Sequence, residues 1–128
     1  MRDGMRIAML TIGAGKGGVV NVVWQLAGGM VARGHEVAVM CDSGSELPRL
    51  AEMGVRHYPV AFENAHRELW KGMSTLKAAV RDFRPDVVHS HSRWPSIIAR
   101  LSGLRVDVST LHADRLASGG RWLDRGIV

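Results

Sequence analysis

The chain has 128 residues, 46% of them hydrophobic and 23% charged, with a formal net charge of +5. That length suits one domain with a real core, and that balance excludes a disordered or low-complexity chain. The single cysteine, Cys41, excludes an internal disulfide, and the longest apolar segment, Val19 to Ala32, contains Asn21 and Gln25 and is too short to span a bilayer.

Met5 to Ile12 reads as a strand, nearly all apolar, of the kind buried on both faces of a parallel sheet. Gly13-Ala14-Gly15-Lys16-Gly17-Gly18 follows, and a helix then runs from about Val19 to Arg33. A glycine-rich turn between strand and helix leaves no Cβ in a ligand's way and turns unpaired N–H groups towards an anion. Gly28 and Gly29 lie inside that helix at a cost of roughly 1 kcal/mol each, which suggests close packing against the sheet. Gly34 should end the helix, and His35 reads as a structural turn residue.

Glu36 to Cys41 is the second strand. After a loop at Asp42–Ser45, Ser45 caps a short helix that runs to Met53 and stops at Gly54. Val55 to Val60 is a weaker third strand, broken by Pro59. A long helix over about Asn64 to Phe83 sets Leu69, Met73, Leu76, Val80 and Phe83 on one stripe, with Arg67, Lys71, Lys77 and Arg81 mainly off it. Arg84-Pro85 breaks that helix, and Asp86 to Ser90 is the fourth strand. A loop at Ser92 to Pro95 opens a short helix to about Ser102, and Arg105 to Thr110 is the fifth strand. Residues 113–128 show no long periodic pattern and are expected to be poorly ordered. Trp24 and Trp70 are expected in the core.

The alternation of strands and helices gives an α/β fold class. The expectation is a single Rossmann-like domain over residues 1–128, three layers α/β/α, with a parallel sheet in the order 3-2-1-4-5. The order reverses between strands one and four, so a ligand crevice belongs at their carboxyl ends. The glycine turn, the His89–Trp94 segment and His112 all fall there.

The turn admits three readings. Gly13, Gly15 and Gly18 satisfy G-x-G-x-x-G, with Asp42 at the end of the second strand, the pattern of an NAD- or FAD-binding Rossmann domain. Gly15 to Val19 also resembles the start of the P-loop of partition-type ATPases. Val20, Asn21 and Val22 then stand where glycine, lysine and a hydroxyl residue are needed to grip phosphate and magnesium. The third reading rests on several separate stretches: Gly17-Gly18-Val19, Gln25-Leu26-Ala27, Arg33-Gly34-His35-Glu36-Val37, Arg84 through Ser92, and Ser109-Thr110-Leu111-His112. In this order and spacing they resemble the N-terminal domain of glycosyltransferase family four, retaining enzymes of the GT-B fold, as far as about Asp114.

The resemblance implies a division of labour. The N-terminal domain mainly holds the acceptor, and a C-terminal domain mainly holds the nucleotide-sugar donor. Backbone N–H groups of Gly17 and Gly18 would reach the donor's diphosphate or the acceptor. His112 corresponds to the family histidine near the transferred sugar and takes the catalytic role, positioning the sugar and stabilising charge. His89, His91, Ser92 and Trp94 would contact the acceptor, and Asn21 either adds a polar contact or faces solvent.

Strand alternation puts His89 and His91 on one face. With His112 and Asp114 they fall short of a full ligand set, so no metal and no resident cofactor is expected; the nucleotide-diphosphate sugar is a substrate. His57 and His66 have no assigned role. The C-terminal donor domain and its E-x7-E motif are absent from the sequence, so it reads as a fragment or as one half of a split enzyme with a donor-binding subunit, inactive alone. The alternative is a non-catalytic half-domain that self-associates through the surface a second domain would cover. A cytoplasmic location is expected from the lone cysteine and the absence of a signal-peptide pattern. The arginine excess suits peripheral contact with the inner face of a membrane, and its scatter points away from nucleic acid.

Overall fold

The computed structural model describes residues 4–12, 18–42, 44, 47–63, 67–91 and 93–110. Strands β1 (Arg6–Leu10), β2 (Glu36–Cys41), β3 (Arg56–Pro59), β4 (Val87–His91) and β5 (Val108–Thr110) alternate with helices α1 (Gly18–Ala32), α2 (Leu47–Glu52), α3 (Leu69–Phe83) and α4 (Arg93–Leu101). The sheet is parallel throughout, in the expected order β3-β2-β1-β4-β5.

The period-two pleat divides the core. On one face Ile7 and Met9 of β1 and Val37, Val39 and Cys41 of β2 pack under Val23 and Ala27 of α1 and Leu50 of α2. On the other, Ala8, Leu10, Ala38, Met40 and Val88 meet Leu76, Ala79 and Phe83 of α3 and Ile98 and Ala99 of α4. Both faces of the central strands are therefore covered, which is why β1 and β2 carry apolar residues at almost every position.

The element ends follow local chemistry. Gly34 closes α1 at φ +90°, and Gly54 follows α2 at φ +85°, both in the left-handed region that glycine enters without strain. The Met5 N–H donates to His35 Nδ1 at 2.9 Å, so His35 is the structural turn residue expected. Arg84 ends α3 in the left-handed region at φ 55°, its N–H bonded to the Val80 carbonyl, because a residue before proline is disfavoured in the right-handed helix. At the amino edge of the sheet Arg6 Nε donates to the Phe83 carbonyl at 2.7 Å and Nη1 meets Glu36 at 3.1 Å, tying α3 to β1 and β2.

Several expectations need correction. Helix α3 starts at Leu69, not Asn64. Phe62 is buried, and the backbone N–H groups of Phe62 and Glu63 are held by Asp42 Oδ1, so these two residues belong to the connection between β3 and α3. Strand β5 covers three residues rather than six, since Asp107 Oδ2 takes the Val88 N–H at 2.9 Å in place of a backbone carbonyl. Helix α4 already includes Trp94 and Pro95; proline is tolerated in a first turn, where its missing N–H has no partner to lose. Trp70 is 80% exposed, not in the core, because it lies on the side of α3 opposite Gly72, Leu76, Ala79 and Phe83. Gly28 does make a close approach, but to the Met53 side chain rather than the sheet, and Gly29 has open space.

Candidate functional site

Strands β1 and β4 are neighbours although some eighty residues separate them, with Leu10 beside Ser90. This is where the strand order reverses, and β1 and α1 flank it. The Thr11 N–H, at the end of β1, donates to the Met40 carbonyl at 3.1 Å and carries the chain to the carboxyl edge of the sheet. Gly18 is the first residue of a fifteen-residue α1, whose aligned peptide dipoles leave a partial positive charge at that end. Asn21 belongs to the first turn of α1. The turn before Gly18, Gly17 included, lies outside the described residues, as does the side chain of Asn21.

On β4 the expected pairing is present. The rings of His89 and His91 stack with centroids 4.1 Å apart at 22°. They sit low in the fold's surface, with His89 9% exposed and His91 0% exposed. Burial holds the pKa of His89 below its ordinary value of 6.5, so the ring is neutral at neutral pH. Trp94, in the first turn of α4, is half-buried against the core shared by α3 and α4. Beside β4, Thr110 pairs with His91, so β5 delivers the chain to the same edge two residues before His112. His112 and Ser92 lie outside the described residues.

A family profile, Glycosyltransferase Family 4, matches residues 16–126, from within the glycine turn through strands β2 to β5. The chain belongs to Glycosyltransferase Family 4. A curated relative from Erythrobacter litoralis (strain HTCC2594), a UDP-N-acetylglucosamine–N-acetylmuramyl-(pentapeptide) pyrophosphoryl-undecaprenol N-acetylglucosamine transferase, is 26% identical over 117 residues, 84% of this chain and 29% of that protein. Among solved structures, Acinetobacter baumannii MurG matches with a TM-score of 0.60 at 19% identity over 79% of this chain and 33% of its own. A glycosyltransferase from Rickettsia africae ESF-5 matches at 0.63 and 17% identity over 84% of this chain and 28% of its own. The chain thus spans about a third of the length of the proteins it matches.

Within this family domain the dinucleotide reading of Asp42 finds a competing role. Its Oδ1 accepts the Phe62 N–H at 2.8 Å and the Glu63 N–H at 2.9 Å, bracing the connection from β3 to α3. Ser90, expected only as part of the segment lining the site, is the hub of a hydroxyl cluster. Buried Ser90 bonds Ser96 of α4, and Ser109 of β5 lies 3.4 Å from Ser90 and 3.2 Å from Ser96. The cluster locks β5 and α4 to β4 and so fixes where the chain leaves towards His112. Only the alternation of β4, with Ser90 facing away from the histidines, could have hinted at it. His57, left without a role, places Nε2 3.1 Å from the Cys41 carbonyl. Among the described residues no group of three His, Cys, Asp or Glu is arranged to hold a metal, and no helix is long and apolar enough to cross a membrane.

Proposed function

We propose that this chain is the acceptor-side domain of a glycosyltransferase that moves a sugar from a nucleotide-diphosphate donor to an acceptor hydroxyl. The observation that carries this is the family match over residues 16–126, laid on a sheet whose reversal point sets the start of α1 beside β4. The backbone N–H groups of Gly17 and Gly18 hold anionic oxygens of donor or acceptor at the helix start. His112 positions the sugar and stabilises charge as the bond from the anomeric carbon to phosphate loosens. His89, His91, Ser92, Trp94 and Asn21 shape the acceptor side, with the buried His89–His91 stack acting through what it orients. No covalent nucleophile is needed, and the rate comes from positioning and electrostatics.

The donor-binding half is a second α/β domain, on the same polypeptide or a separate subunit; the threefold greater length of the matched proteins supports this. The buried free thiol of Cys41 suits the reducing cytoplasm. The name of the curated relative makes UDP-N-acetylglucosamine and a polyprenol-diphosphate-linked acceptor the first pair to assay. The test is a radiolabelled transfer assay. This chain alone should give no product, and the chain joined to a family donor domain should give product that His112→Ala abolishes. Anomeric coupling in the product then reads retention, the outcome expected from the family resemblance. Turnover by the isolated chain, or a joined enzyme indifferent to His112→Ala, would overturn the reading.

A further inference from the structure

Helix α1 has one flank packed and one flank open. Gly28 lies against Met53 and Val31 against Gly54, so α2 and the turn after it close the first flank. The other flank borders a groove of about 410 Å³ at the amino edge of the sheet. Buried Ile7 of β1 and half-buried Leu26 and Met30 of α1 make its apolar lining. Gly29 lies on the same flank, inside a helix of 15 residues where glycine costs more than alanine. A Cβ added there would meet nothing within 4 Å, so the missing side chain leaves the groove open. The polar groups stand at one end. Arg33 is exposed, is the one charged residue of the lining, and among the described residues has no carboxylate partner. Glu36, close by in sequence, lies 3.1 Å from Arg6 instead. His35 Nδ1 accepts the Met5 N–H, so the ring proton sits on Nε2 as a second donor. The last carbonyls of α1 repel an anion little, since those of Met30 and Val31 already accept the N–H groups of Arg33, Gly34 and His35.

We propose that this groove binds a small amphiphilic monocarboxylate. The apolar tail lies along Ile7, Leu26 and Met30, and the carboxylate meets the Arg33 guanidinium and His35 Nε2–H. Charge complementarity decides the head group: the lining offers one cation and no anion. Size decides the tail. The volume falls at the low end of the roughly 300–1,000 Å³ of small-molecule sites, which suits one medium-length chain. Position 29 lies roughly 16 Å along α1 from Gly18, so the groove is separate from the helix start at the carboxyl edge. The proposal is independent of sugar transfer and survives if that reading fails.

The experiment titrates the isotope-labelled 128-residue chain with octanoate and decanoate and follows its amide NMR signals. Both should shift the amides of Leu26, Gly29 and Met30 and leave those of α3 in place. Octanoate should bind more weakly than decanoate, by about two- to fourfold for each methylene removed. Octan-1-ol should bind about three- to fivefold more weakly than octanoate, the share of one exposed ion pair, and Arg33→Gln should remove most of that difference. Gly29→Leu fills the groove and should weaken decanoate by about tenfold, as loss of most of the tail contact requires. Circular dichroism should show that variant folded, because position 29 faces open space. If it does not fold, the alcohol comparison and Arg33→Gln carry the test. Arg105→Gln is the control, since that side chain is 90% exposed before β5 and pairs with Asp107; it should leave affinity unchanged. No binding of decanoate, equal binding of octanoate and octan-1-ol, or shifts centred away from α1 would overturn the proposal. So would a dimer, seen by sedimentation, that Gly29→Leu splits and decanoate leaves intact, which would assign the groove to a second copy of the chain.

Discussion

Two glycines in helix interiors should respond to the same substitution with opposite signs. Replacing glycine by alanine in a helix normally stabilises by about 0.5–1 kcal/mol, because the unfolded chain loses freedom. At Gly72 the added Cβ would sit 2.9 Å from the Ala61 carbonyl oxygen and 3.4 Å from Ile98 Cδ1. Ile98 can turn its terminal methyl, but the Ala61 carbonyl is backbone. It is held by the Ala61 N–H donating to Thr75 Oγ1 at 3.1 Å and by the neighbouring Phe62 N–H on Asp42. Helix α3 must therefore lift from the β3 edge, a strain of about 1–3 kcal/mol. With the strain at the middle of that range, about 2 kcal/mol, subtracting the helix gain leaves Gly72→Ala destabilised by roughly 1–1.5 kcal/mol, or about 3–8 °C in Tm for a chain of this size. At Gly29 an added Cβ meets nothing within 4 Å, so Gly29→Ala should gain about 0.5–1 kcal/mol. Urea denaturation of both variants with unchanged m values gives the comparison. A Gly72→Ala protein as stable as the wild type would refute the close approach of α3 to the loop after β3.

Asp42→Ala should cost about 2 kcal/mol in urea melts through two lost N–H···O bonds, with Asp42→Asn recovering part of it by keeping one acceptor oxygen. Burial, then the nearby charges of Asp42 and Glu63, push the Cys41 thiol up to about 12, so disulfide-exchange reagents at mildly alkaline pH should label it no faster than the domain unfolds. The folded-state pKa of His89 is lowered from 6.5, so the unfolded chain binds the extra proton first. Stability should therefore be full above that value and fall as pH drops below it, and His89→Asn should flatten the slope. Trp70→Ser should leave stability within about 0.5 kcal/mol by thermal melting, as its exposure requires.

The periodic features were legible in advance. The unbroken apolar run of β1 foretold a strand buried on both faces, and alternation foretold the His89–His91 pairing. Gly34 and Gly54 marked helix ends because only a left-handed residue suits those turns. Trp70 was misjudged because its residue type is apolar, although the helical period already set it opposite Leu76 and Phe83. The Asp42 brace and the Ser90–Ser96–Ser109 cluster escaped notice because each joins residues distant in the chain by contacts that no local pattern encodes. For the same reason Gly28 was assigned to the sheet, when its neighbour is Met53.

The most direct test of the sugar-transfer account is amide NMR of the isotope-labelled chain titrated with nucleotide-diphosphate sugars and, separately, with NAD(H). The account predicts that a nucleotide sugar shifts the amides of Gly17 and Gly18 together with the His112 ring signals, while NAD(H) leaves them in place. Shifts with NAD(H) centred on Asp42, and none with any nucleotide sugar, would contradict it.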